Sequence, residues 1–91
     1  MTIDEIRLKI DALDQELLRI FNERADLACK IGEIKKELGL QVYDPNREKR
    51  IFDAMQAANP GPLDNEAIVR MFEKVIEESR RLERMRTATP D

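Results

Sequence analysis

The residues best placed to do chemistry are charged side chains at positions where a helical pattern calls for apolar ones. From residue 3 to residue 38, apolar residues recur at alternating steps of three and four, and Arg24 interrupts this pattern. Lys35 follows eleven residues later, about three helical turns on, so the two cations project from nearly the same side. Ala28 and Gly32 lie between them, and a glycine inside a helix indicates that another group approaches closely. The spacing predicts a slot with a cation at each end. The alternative is that Arg24 pairs with a buried carboxylate and Lys35 extends to solvent.

Two polar residues near the carboxyl end of the chain also occupy a face where burial is expected. The apolar stripe of residues 68–75 continues through Ser79 and Glu83, which are four residues apart. A buried carboxylate is costly unless it is paired or protonated. These two residues are therefore candidate site residues, although a frayed helix end would leave Glu83 in water.

Three further charged residues extend the candidate site. Arg47 and Glu48 lie in the first turn of a second helix, where capping and charge pairing would also explain them. Arg7 lies 17 residues before Arg24, about 25 Å away on one helix, so the two cannot grip one small ligand within a single chain. A second copy of the chain could supply Arg7.

Composition excludes several classes of chemistry. The 91 residues contain no histidine, so a Ser-His-Asp triad, a Cys-His pair and an imidazole metal site are ruled out, and no glycine-rich phosphate loop is present. The net charge of -3 disfavours nucleic acid as a partner. One cysteine, Cys29, cannot form an internal disulfide, and no signal peptide or membrane-spanning apolar run is seen, so we expect a cytoplasmic protein without membrane contact.

Three helices, and no segment with the period of a strand, predict an all-α fold. The first helix is expected from Ile3 to Leu38, with Thr2 or Asp4 as its cap and Gly39 as its stop. "YDPNREKR" marks the second helix, in which Asp44 is the N-cap and Pro45 the first helical residue. The third helix is expected from Asp64 to about Arg86. We therefore interpret residues 1–86 as one domain and residues 87–91 as a tail or linker.

The first helix, a rod of about 35 residues, is near 50 Å long. This is more than two short helices can cover, so a partner is expected along it.

Several segments resemble the all-α, AroQ-type chorismate mutases over almost the whole chain: "IRLKIDALDQELLRIFNERADLACKIGEIK", "VYDPNREKRIF" and, less distinctively, "EESRRLE". Six residues fall at matching positions of that family: Arg7, Arg24, Lys35, Arg47, Glu48 and Ser79.

The resemblance implies an intertwined homodimer and a Claisen rearrangement of chorismate to prephenate, on the route to phenylalanine and tyrosine. The reaction is unimolecular, so no cofactor or metal is expected. By the resemblance, Arg24, Arg47 and the partner's Arg7 clamp the two substrate carboxylates, with help from Ser79.

The resemblance also implies roles for the remaining candidate residues. Glu48 would accept a hydrogen bond from the ring hydroxyl, with Asp44 near it. Lys35 would donate to the ether oxygen whose bond to the ring breaks. Many relatives carry glutamine as the second donor where this chain has Glu83. Because a carboxylate cannot donate, Glu83 is expected to work as a neutral acid.

Two other functions fit part of the sequence. An isochorismate pyruvate-lyase shares the fold and a similar pocket, but eliminates pyruvate. A non-catalytic helical dimerisation module would use charges in its helix–helix interface to set the register in which the helices pair. Such a module would need neither the cation slot nor Ser79. The sequence also leaves open whether the tail leads into a fused domain such as a prephenate dehydratase.

Overall fold

A computed structural model describes residues 1–87, and these residues form three helices and no strand. The helices are α1, Ile3–Glu37; α2, Pro45–Ala58; and α3, Asn65–Thr87. The all-α prediction is confirmed, and α1 ends one residue before the expected Leu38. The predicted tail, 87–91, lies outside the described residues except for Thr87, which ends α3. No helix within residues 1–87 has the apolar length needed to cross a bilayer.

Side chains just before each helix determine where it begins. The Asp44 carboxylate accepts a hydrogen bond from the Arg47 amide at 3.1 Å, as predicted for an N-cap. The Asp64 carboxylate caps α3 by accepting from the Ala67 amide at 2.7 Å. Of the two candidate caps for α1, Thr2 is the one that accepts from a first-turn amide. The Asp44 cap therefore fixes where the first turn of α2 begins, and that turn carries the candidate site residues Arg47 and Glu48.

The end of α1 is closed by a Schellman motif. Gly39 adopts a φ of 72°, a left-handed conformation that costs glycine little. The Leu40 amide donates to the Lys35 carbonyl at 2.8 Å, and the Gly39 amide donates to the Lys36 carbonyl at 3.2 Å. The motif therefore turns the chain sharply and fixes the backbone of Lys35, a candidate site residue.

The helices form an elongated molecule in which α3 contacts both α1 and α2. Its dimensions are 55 × 30 × 15 Å, and its radius of gyration of 16.5 Å exceeds the roughly 12 Å of a compact domain this long. The buried core is small: Cys29, Ile76 and Ser79 are each less than a tenth exposed. An ion pair of 3.1 Å between Asp26 and Arg86 joins the end of α3 to α1.

The amino-terminal half of α1, defined here as residues 3–23, is exposed at every position. Its apolar seam residues lie between 43% and 59% exposed, which leaves a continuous apolar stripe uncovered by α2 or α3. They are Ile6, Ile10, Leu13, Leu17 and Ile20. The carboxy-terminal half of α1, residues 24–37, packs against α3 instead, as the burial of Cys29 and Gly32 shows.

Candidate active site

A pocket of about 270 Å³ opens between the carboxy-terminal half of α1, the loop before α2, the first turn of α2 and the middle of α3. Seven of the eight residues proposed from sequence line it, and its remaining walls are mainly apolar. These seven are Arg24, Lys35, Asp44, Arg47, Glu48, Ser79 and Glu83. Three helices and the loop between the first two thus bring their polar residues to one cavity.

The two cations of α1 stand in this pocket with Ala28 between them. Both are half-buried, and the Lys35 ammonium lies 3.4 Å from the Val42 carbonyl oxygen of the loop. Lys35 is therefore held at the pocket wall, contrary to the alternative in which it extends to solvent. Within residues 1–87, no carboxylate pairs with Arg24, so the alternative of a buried ion pair is also wrong for the single chain.

Gly32 accommodates Glu83 and does not line the slot. The glycine is buried, and a Cβ placed on it would lie 3.3 Å from the Glu83 carboxylate oxygen Oε2. The expectation of a close approach at Gly32 is confirmed, and the approaching group is a side chain of α3. The slot predicted along α1 is thus lined by Ala28 and not by Gly32, which faces a second cavity on the other side of Glu83.

Glu83 is a half-buried carboxyl group among cations. Burial raises its pKa, while the positive charges of Lys35, Arg80 and Arg84 act in the opposite direction, and the pKa remains above its ordinary value. The helix continues past Glu83 to Thr87, so the alternative of a frayed, wet helix end is wrong. A raised pKa favours the protonated form, which can donate a hydrogen bond.

Ser79 and the first turn of α2 supply the remaining polar groups. Ser79 is only 6% exposed, so its hydroxyl is a buried polar group at the pocket wall. Glu48 is half-buried and accepts a hydrogen bond from the Arg80 guanidinium at 3.2 Å. Arg47 is exposed at the pocket mouth. The turn thus presents a fixed carboxylate beside a cation that remains accessible to solvent.

Arg80 and Tyr43 are pocket residues that the sequence patterns did not identify. The Arg80 guanidinium lies 5.0 Å from the centre of the Tyr43 ring, and both residues line the cavity. A signal was present: Arg80 is three residues before Glu83 and therefore shares its helical face. That signal is easily overlooked, because Arg80 lies in the charged run "EESRRLER", a pattern typical of a solvent-exposed helix surface.

Arg7 is the one predicted site residue that the structure places away from the pocket. It is exposed, lies in the amino-terminal half of α1 and does not line the cavity. This position agrees with the 17-residue separation from Arg24. Within one chain, the pocket therefore has at most two of the three arginines that the resemblance implies for the carboxylates.

Comparison with known proteins gives one consistent family. The sequence profile described as chorismate mutase type II matches residues 6–84. A chorismate mutase from Methanocaldococcus jannaschii is 36% identical over 81 residues, covering 88% of this chain and 82% of that protein. A crystal structure of chorismate mutase from Helicobacter pylori in complex with prephenate superposes with a TM-score of 0.88 at 28% identity, covering 98% of this chain and 97% of the other.

Several relatives are longer, bifunctional proteins. The bifunctional chorismate mutase/prephenate dehydratase of Aquifex aeolicus is 40% identical over 78 residues, which cover 81% of this chain and 22% of that protein. The chain therefore spans about a quarter of the length of the bifunctional relatives that it matches.

Proposed function

The chain belongs to the type II chorismate mutase family, and we propose that it catalyses the rearrangement of chorismate to prephenate. The observation that carries this proposal is the convergence of seven predicted site residues, from three helices and a loop, on one cavity. The prephenate complex of the structural relative supports the same substrate class. In this reaction a carbon–oxygen bond breaks and a carbon–carbon bond forms within one molecule, so the protein need only bind, restrain and stabilise charge.

Binding of a dianionic substrate would rest on the arginines. Guanidinium groups match carboxylates as planar, two-pronged donors, and we assign Arg24 and Arg47 to the two substrate carboxylates. The buried Ser79 hydroxyl would add a hydrogen bond to one of them. Holding both carboxylates restrains the substrate in the compact form in which its reacting carbon atoms approach each other.

Charge stabilisation would come from Lys35 and Glu83, two further polar residues that line the pocket. Negative charge develops on the ether oxygen as its bond to the ring breaks, and Lys35 is assigned as the donor to that oxygen. Protonated Glu83 would be the second donor, which agrees with its raised pKa. Glu48 would accept from the ring hydroxyl, with the capping carboxylate of Asp44 beside it. No step in this scheme requires a nucleophile or a cofactor.

A homodimer would complete the site. The amino-terminal half of α1 leaves an apolar stripe uncovered, and a second copy lying along it would bury that stripe. The same arrangement would bring the partner's Arg7 to a pocket that the chain's own Arg7 does not line. We therefore propose an intertwined dimer with two shared sites.

The activity is tested by following the loss of chorismate and the formation of prephenate with the purified protein. Parallel assays with isochorismate separate the mutase from a pyruvate-lyase, because only the lyase releases pyruvate. Conversion of chorismate to prephenate without pyruvate release from isochorismate supports the proposal. Pyruvate release alone would identify a lyase, and a dimer inactive on both substrates would leave only a dimerisation module.

A further inference from the structure

One guanidinium group joins three of the four segments that surround the pocket. Arg80 of α3 donates through Nη2 to Oε1 of Glu48 on α2 at 3.2 Å. The same group lies 5.0 Å from the centre of the Tyr43 ring, in the loop between α1 and α2. Contacts of this kind restrict how α2 and the loop can move against α3.

The ion pair between Arg80 and Glu48 differs from the other ion pairs of residues 1–87. The Glu48 side chain is 19% exposed, whereas the carboxylates of the other pairs are 45% to 63% exposed. Exposed pairs contribute little, because water screens them and two long side chains must be ordered. A sheltered, charge-assisted hydrogen bond is stronger, and the aromatic face of Tyr43 adds a cation–π attraction on the same guanidinium.

We propose that Arg80 is a positioning residue that fixes Glu48 for recognition of the substrate's ring hydroxyl, an inference that rests on the proposed mutase function. The bond to Arg80 engages Oε1, and a carboxylate held by one oxygen can still accept a hydrogen bond through the other. Without Arg80, the Glu48 side chain could rotate among several rotamers, and recognition of the hydroxyl would lose its fixed geometry.

The test is a double-mutant cycle on turnover of chorismate. Arg80→Ala is expected to lower kcat/KM about tenfold in the parent, the size of a lost charge-assisted hydrogen bond. In a Glu48→Gln background, the same substitution is expected to change kcat/KM less than about twofold, because the group it positions is already altered. The matched control is Arg81→Ala, since Arg81 pairs with Glu78 on the exposed side of the same helix, and it should match the parent.

A second readout applies where turnover is slow. Titration of the same proteins with prephenate, which also carries the ring hydroxyl, should show the same coupling in affinity. Arg80→Lys should fall between the parent and Arg80→Ala, because it keeps the charge without the planar group that stacks on Tyr43. If Arg80→Ala unfolds, as judged by circular dichroism, Arg80→Lys takes its place in the cycle.

Two results with an active parent would overturn this inference and leave the proposed function standing. The first is an Arg80→Ala protein that behaves like Arg81→Ala. The second is full additivity of the Arg80 and Glu48 substitutions in both kcat/KM and prephenate affinity. Either result would show that Arg80 does not act through Glu48. A folded, dimeric parent that does not convert chorismate would instead overturn the proposed function, and this inference with it.

Discussion

The two halves of α1 share one helix and one apolar period, yet they differ in what covers them. In the amino-terminal half, the seam is apolar at every step and stays exposed in the single chain. In the carboxy-terminal half, Arg24 and Lys35 face the pocket, Ala28 lines it and Gly32 is buried against Glu83. The two halves therefore present different surfaces. The apolar surface of the amino-terminal half suits another helix, and the cation-bearing surface of the carboxy-terminal half suits a ligand.

The difference has a physical cause. An apolar seam gains free energy from any complementary apolar surface, so it needs only a second helix. A cation in the seam is costly against apolar neighbours and is favourable only where an anion or water is close. The carboxy-terminal half therefore combines packing against α3 with a charged surface suited to an anionic ligand, whereas the amino-terminal half presents an apolar surface suited to a second helix.

The largest expected effect comes from removing either cation of the carboxy-terminal half. Arg24→Ala and Lys35→Ala should each lower kcat/KM on the order of a hundredfold or more, as expected for loss of one preorganised donor. Far-ultraviolet circular dichroism should show unchanged helix content, because neither side chain caps a helix or fills the core. If Lys35→Ala lost only a few-fold in kcat, its role at the ether oxygen would be refuted.

A charge placed in the amino-terminal half should break assembly. Leu13→Glu puts a carboxylate in the apolar stripe and should shift the protein to monomers in sedimentation over a dilution series, with a matching loss of activity. Gln15→Glu adds the same group on the opposite side of the helix and serves as the control. A Leu13→Glu protein that stays dimeric and fully active would show that this half is not the interface.

Glu83 should give the site a characteristic pH dependence. Since the protonated form is the proposed donor, kcat/KM should fall as pH rises through the pKa of Glu83, which burial raises above its ordinary value. Glu83→Gln supplies a permanent donor and should flatten the decline, whereas Glu83→Ala should lose activity about tenfold or more at acid pH. A parent profile that is flat, or a Gln variant that declines equally, would contradict the assignment.

The smallest expected effect is at Gly32. Gly32→Ala would place a Cβ 3.3 Å from Oε2 of Glu83, so the carboxyl group must shift by a few tenths of an ångström. We expect a loss in kcat/KM of only a few-fold, and a fall of the Glu83 pKa toward its ordinary value as the group moves toward water. The pH profile measures both effects. A profile identical to the parent's would mean that the packing of Glu83 on Gly32 has no functional role.

The sequence predicted most of the fold because its local signals agree with one another. Thr2, Asp44 and Asp64 cap the helices and Gly39 ends α1 through backbone and side-chain preferences that act over a few residues. The position of Arg24 on the apolar face of α1 could also be predicted, because it follows from the spacing of nearby residues. The contact between Arg80 and Glu48 could not be predicted, because the two residues are 32 apart in sequence and meet only through the packing of α2 against α3.

The central claim is that each site needs the carboxy-terminal half of one chain and the amino-terminal half of another, and mixing two inactive variants tests it most directly. Arg7→Ala and Arg24→Ala protomers are combined, and subunit exchange is confirmed by mass-tagged heterodimers. In a heterodimer, one site is intact and the other carries both substitutions. Random exchange between equal amounts should therefore restore about a quarter of the parent's activity. No recovery after confirmed exchange would contradict the shared site.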